Sequence, residues 1–225
     1  MTFLRQALVV AHKDLTIEMR GHHAVGAAAP FAATMLLSFG LALGPGRSLL
    51  QATAPGLLWL AVMFSSVLAF RQAYRIETDD DAVEGLVLSG IDLGAVFLGK
   101  ATAVAVELLG LEFIAVVMVA WLFDLALVER PLLLAASLVL GTIGLSAIGS
   151  LFGMLAESPR AAEGILPLLV LPTAVPVLLA GVRLTSLAES GGSAGAGSWL
   201  GLLVAFDVSV VAIGTLLFGE LVEER

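Results

Sequence analysis

The 225-residue chain is 59% hydrophobic and 13% charged, with a mean hydropathy of +1.04. A soluble domain carries about 25% charged residues, so this composition leaves an outer surface suited to lipid and predicts one all-α integral membrane domain over residues 1–225. The net charge of −8, with no basic stripe, argues against nucleic acid, and the absence of cysteine excludes disulfides, thiolate metal sites and cysteine nucleophiles.

Residues 3–20 place Phe3, Leu4, Ala7, Leu8, Ala11, Leu15 and Met19 at helical spacing, with Arg5, His12, Asp14 and Glu18 mainly on other faces. This pattern predicts an amphipathic helix lying in the membrane interface; a lead-in turn to the first span is the alternative. The charges interrupt any apolar core of a cleavable signal peptide. His12, His22 and His23 all precede the first span and meet no visible constellation of metal or haem ligands.

Six membrane spans are expected, and the fifth is expected to be broken by proline. Span one covers Ala24–Leu43 and ends at Gly44-Pro45-Gly46. Span two covers Ala54–Phe70, with Pro55 suited to its first turn. The most polar stretch of the chain, Arg71–Asp92, follows. Within it Thr78 or Asp79 suits a helix cap, and Val83, Leu86 and Val87 would form an apolar face. A short acidic helix docking on a cytoplasmic partner and a plain solvated loop both fit these residues.

Span three covers Ala101–Phe123. Just before it, Gly94 to Lys100 matches the first seven positions of a phosphate-binding loop. Ala101 stands where a Mg²⁺-binding hydroxyl is needed, and no strand precedes the glycine, which argues against nucleotide binding. Lys100 is expected to snorkel toward headgroups, or to pair locally with Glu107. Glu107 and Glu112 stand about 140° apart around the helix. With Asp207 in span six they are the intramembrane carboxylates, and their sparse polar surroundings favour packing or hydrogen bonding over a proton relay.

Span four covers Leu132–Leu155, where Gly149 and Gly153 form a small-xxx-small pair for close helix approach. Span five, Glu163–Val182, contains Pro167, Pro172 and Pro176 and is expected to be kinked or partly re-entrant. Span six covers Trp199–Gly219. With both termini cytoplasmic, Arg5, Lys13, Arg20, Arg71, Arg75, Lys100, Arg160 and Arg225 lie inside, leaving only Arg47, Arg130 and Arg183 outside, as the positive-inside rule favours.

An interfacial helix, six spans and a conspicuous loop after span two form the plan of an ABC-2-type exporter permease. Ala54–Trp59, Ser65–Phe70, Asp80–Leu88, Lys100 and Leu166–Pro176 further resemble CcmB, the permease subunit of the cytochrome c maturation (haem exporter) system. Where that family often has Asp-Gly, this chain has Asp80-Asp81, while Asp80, Glu84 and Leu86 match. The resemblance implies a bacterial inner-membrane subunit with no catalytic residues and no firmly bound cofactor or metal. Haem would be cargo of the complex, and ATP would be hydrolysed on a partner. It implies as partners a CcmA-like ATPase, a second copy of the chain, CcmC-like and CcmD-like membrane subunits and a CcmE-like haem chaperone. Glu77, Asp80, Asp81, Glu84, Leu86 and Leu88 would form the element that meets the ATPase. A permease for another lipid or drug-like substrate, and an ion-coupled secondary transporter, are the alternatives.

Overall fold

A computed structural model describes residues 2–21, 23–79, 91–123, 129–155 and 159–223, and among them every regular element is an α-helix. The helices are α1 (Phe3–Gly21), α2 (His23–Leu43), α3 (Arg47–Asp79), α4 (Leu93–Phe123), α5 (Pro131–Leu155), α6 (Pro159–Thr173), α7 (Val175–Glu189) and α8 (Ala196–Glu223). In an apolar medium each open backbone group costs several kcal/mol, so the chain coils wherever its spans allow.

That pressure explains why three helices begin earlier than the apolar pattern alone indicates. α3 starts at Arg47 and places Pro55 inside the helix, not in its first turn. The Gly46 carbonyl accepts from the amides of Leu49 and Leu50 at 3.1 and 3.0 Å, and the Thr53 hydroxyl donates to the Leu49 carbonyl at 2.8 Å. The helix also runs nine residues past Phe70, through Glu77 to Asp79, beyond the expected end of span two. α4 starts at Leu93, so Gly94 to Lys100 is helical. A phosphate-binding loop is thereby ruled out at that segment. α8 opens at Ala196, just ahead of the expected Trp199.

Asp92 sets the start of α4. Its Oδ1 accepts from the amides of Gly94 and Ala95 at 2.9 and 3.3 Å, answering two of the open donors at the helix N-terminus. Asp92→Ala is expected to cost about 1 kcal/mol, seen as a small fall in the detergent melting temperature. Asp92→Asn, which keeps the acceptor, should recover most of it.

Four helices are long and apolar enough to cross a bilayer: Arg47–Arg71, Leu93–Phe123, Pro131–Gly153 and Ala196–Gly219. A fifth arises if Leu166–Thr173 and Val175–Glu189 count as one span bent by 48°. The apolar stretch of α2, Ala28–Leu43, is shorter. The chain is therefore a multi-pass membrane protein with four or five such spans among its described residues, against the six read from sequence. The bend sits at Ala174, whose amide donates to Val170 at 2.8 Å, with Pro172 before it and Pro176 opening α7. The Thr173 hydroxyl back-bonds to the Leu169 carbonyl at 2.8 Å, a contact that favours bending.

α4 packs against α1, α2, α3, α5 and α8, and α5 against α3, α4, α6, α7 and α8. The main core centres on Trp59, Phe70, Leu108, Phe123, Ile148 and Leu166. Trp59 of α3 is wedged between Gly141 of α5 and Gly181 of α7, and its Nε1 donates to Thr185 Oγ1 at 2.9 Å. Phe70 lies on Gly149, so that glycine seats an aromatic ring. Gly153 is buried on the same helix. A second, smaller cluster gathers Val10, Val96, Phe97, Ala147 and Phe218 where α1, α4, α5 and α8 meet.

Candidate functional site

Three polar regions stand out from this apolar frame. The first is the seam between α1 and α4. Ala7, Val10 and Ala11 of α1 are buried, and a Cβ on Gly99 of α4 would lie 2.6 Å from Val10 Cβ and 2.7 Å from the Ala7 carbonyl oxygen. Only glycine permits that approach. The next residue, Lys100, is 4% exposed and places its Nζ 3.6 Å from Asp14 Oδ2, while Asp14 Oδ1 is 3.0 Å from Lys13 Nζ. The lysine is thus buried against α1 and does not reach out to headgroups. Glu18, expected on an outward polar face, is buried on this side, and Glu107 lies within electrostatic reach of Glu18 and Asp14. Leu4, Leu8 and Met19, read with Ala7 and Ala11 as one apolar face, are instead exposed. The seven-residue spacing of Lys100 and Glu107 suggested a contact within α4, whereas the partner resolved at 3.6 Å is Asp14 on another helix.

The second region is inside the spans. Glu112 of α4 is 1% exposed, and neither of its carboxyl oxygens has a hydrogen-bond partner. The Thr142 hydroxyl of α5 is near enough to interact with that carboxyl, yet also lacks hydrogen-bonding geometry. Asp207 of α8 is 5% exposed and equally unpartnered, with its Oδ1 2.7 Å from the point a Cβ of Gly144 would occupy. Glu107 supplies a third such carboxyl group, through its buried Oε2. Thr142 and Gly144 are two residues apart and so face different sides of α5. Glu112 and Asp207 therefore flank that helix and do not form one carboxylate pair. Among the described residues, no three His, Asp or Glu side chains converge as a metal site.

The third region is the segment linking α3 to α4. Glu77 lies in the last turns of α3. Asp80, Asp81, Glu84, Leu86 and Leu88 fall outside the described residues. The prolines stand elsewhere: Pro167 and Pro172 within α6 and Pro176 at the start of α7, on either side of the bend.

Sequence reading missed the Asp14–Lys100 contact and the aromatic seats at Gly141, Gly181 and Gly214. Long-range pairs leave no local periodicity. The signal present was the placement of glycines along α4, α5, α7 and α8, which marks close approach without naming the visitor.

The family sequence model described as "CcmB protein" matches residues 5–224. The chain belongs to the CcmB family. The protein named "Heme exporter protein B" of Haemophilus influenzae is 31% identical over 207 residues, covering 92% of each chain. Its namesake from Pseudomonas aeruginosa is 33% identical over 185 residues, covering 80% of this chain and 81% of the relative. That of Rhodobacter capsulatus is 31% identical over 189 residues, covering 83% and 84%. The CcmB match runs from the first turn of α1 past the end of α8 and so takes in all three polar regions.

Proposed function

We propose that this CcmB-family chain is the non-catalytic permease subunit of an ABC-type complex serving haem delivery and release of the haem-loaded chaperone in c-type cytochrome biogenesis. The observation that carries the reading is the match of nearly the whole chain to the family, together with relatives named heme exporter protein B. A CcmA-like ATPase docks on Glu77–Leu88 and supplies the energy, in keeping with the helical form of the Gly94–Lys100 segment, which is no nucleotide loop. A second copy and CcmC-like, CcmD-like and CcmE-like proteins complete the assembly. Haem is cargo, and the chain holds no firmly bound cofactor or metal.

In this reading the protein lies in the bacterial inner membrane with six spans and both termini cytoplasmic. The sixth span is α2, whose 21 residues extend about 30 Å at 1.5 Å per residue, the thickness of the hydrocarbon core. α1 lies at the cytoplasmic interface with Leu4, Leu8 and Met19 toward lipid.

The test is co-purification from native membranes, followed by charge reversal. Asp80→Lys and Glu84→Lys are expected to leave the chain's abundance and melting temperature unchanged. Recovery of the ATPase should fall by about tenfold or more, the scale of a lost interfacial charge pair, and cytochrome c maturation should fall with it. Full ATPase recovery and maturation in both variants would end the coupling assignment. A partner ATPase unlike CcmA would instead favour export of another lipid or drug-like substrate. The buried carboxyl oxygens of Glu107, Glu112 and Asp207 without hydrogen-bond partners favour one further reading, ion-coupled transport, which requires no ATPase and fails if all three are replaceable.

A further inference from the structure

The bent span leaves backbone groups open at its break. Ala174 donates to Val170 and Leu178 donates to Ala174. The two bonds that would make α6 and α7 continuous, Val175 to Leu171 and Val177 to Thr173, are not formed among these described residues. Pro176 has no N–H to offer the Pro172 carbonyl. The amides of Val175 and Val177 and the carbonyls of Leu171, Pro172 and Thr173 are therefore without helical partners. No side chain caps α7, whose N-cap is Ala174. The Thr173 hydroxyl, next to it in sequence, is committed to the Leu169 carbonyl. Within a bilayer, such a break is tolerated where neighbouring protein or ordered water answers the freed groups.

A carboxyl group without a hydrogen bond lies beside this break. Asp207 stands midway along the span Ala196–Gly219, is 5% exposed, and both of its oxygens are buried. Gly144 of α5 shows which way the group points. A Cβ there would lie 2.7 Å from Asp207 Oδ1, 3.1 Å from Val177 Cγ2 and 3.3 Å from Phe206 Cδ1. The carboxyl oxygen and the first turn of α7 thus border one point, above a residue that adds no bulk. Val177 is the third residue of α7 and carries one of the two open amides. Open donor and open acceptor are neighbours that do not bond each other.

We propose that Asp207 of α8 and the first turn of α7 form an intramembrane binding site for water. The ligand must donate to a carboxyl group, accept from a backbone amide and fit between packed helices. Water does all three, and a buried water commonly makes about three hydrogen bonds to groups otherwise unsatisfied. A metal cation would meet the carboxyl group but also the positive end of α7, which repels it. No three His, Asp or Glu side chains converge to hold one among the described residues. Glu112 differs, because α4 and α5 run unbroken past it and neither turns an open amide toward its carboxyl group. The water answers groups that the proline-broken backbone leaves free, and it ties α7 to α8 at the level of the break.

Radiolytic footprinting in heavy-oxygen water tests the site, since hydroxyl radicals formed from a bound water oxidise the side chains beside it. The full chain is irradiated in its native complex in lipid nanodiscs, and heavy-oxygen uptake is read residue by residue. This readout does not involve cytochrome c maturation, so it stands or falls apart from the ATPase-coupled reading. Val177 and Phe206 are expected to take up label well above Phe113, which is 71% exposed within the span Leu93–Phe123. Asp207→Leu should bring both down to the level of Phe113. Asp207→Asn, which keeps a polar group at the site, should retain most of the label. Native Val177 and Phe206 labelled no more than Phe113, or labelled equally in Asp207→Leu, would overturn the proposal. The native comparison decides by itself if Asp207→Leu does not fold.

Discussion

Gly181→Ala and Gly141→Ala are each expected to destabilise the folded chain by about 1–3 kcal/mol, the usual cost of overpacking a filled interior. A methyl group on Gly181 would sit 2.5 Å from Trp59 Cζ2, and one on Gly141 would sit 2.6 Å from Cζ3. The indole is fully buried and already in contact with glycines of both α5 and α7, so it has little room to move. Its Nε1 is also tied to Thr185. Within a bilayer this matters more than it would in water: lipid tails are as apolar as the core, so helix association rests on close packing and interhelical hydrogen bonds. Thr185→Val should cost about 1–3 kcal/mol by leaving the buried indole N–H unpaired. Trp59→Ala, which empties the space, should cost about 3–5 kcal/mol. Thermal denaturation in detergent, followed by loss of the monodisperse peak on size exclusion, measures all four. Gly181→Ala with an unchanged melting temperature would mean that α3 and α7 are not held at this separation.

These positions show where legibility in the sequence stops. Apolar period and length are properties of a single segment, so the all-α membrane class, the general location of the spans and the disruption at Pro172 and Pro176 could be read directly. Helix starts were harder. Residues 47–53 and 93–100 carry glycine, serine or lysine and look like connectors. Yet once the neighbouring spans form, leaving their backbone groups open costs more than coiling them. Asp92 ahead of Gly94 is a legible cap in retrospect. Partner choice was not legible at all: nothing local indicates that Lys100 answers Asp14, or that Gly149 receives the ring of Phe70. The family resemblance reached furthest for function, because it reads many weak positions in order along almost the whole chain.

Replacing Glu112 by leucine is expected to raise stability, by about 1–3 kcal/mol, which is the cost of a buried polar group with no hydrogen bond. Both carboxyl oxygens are buried without partners, and the nearby Thr142 hydroxyl does not reach bonding geometry. Leucine is close in size and asks for no partner. Its gain should therefore appear as a melting temperature several degrees above the native chain. Glu112→Lys should do the reverse and sharply lower the yield of folded protein, since it buries an unpaired ammonium group at the same point. A fall in melting temperature for Glu112→Leu would show that the carboxyl group is satisfied in the folded protein, by water or by a partner subunit. Activity then separates the two functional readings that stability cannot. If an ATPase drives the spans, the more stable leucine variant continues to support cytochrome c maturation. If the carboxyl group itself carries an ion, the same variant is stable and inert. A group kept at a cost to folding is the expected signature of use, so stability and maturation measured on one variant decide whether that use lies in transport or in helix packing.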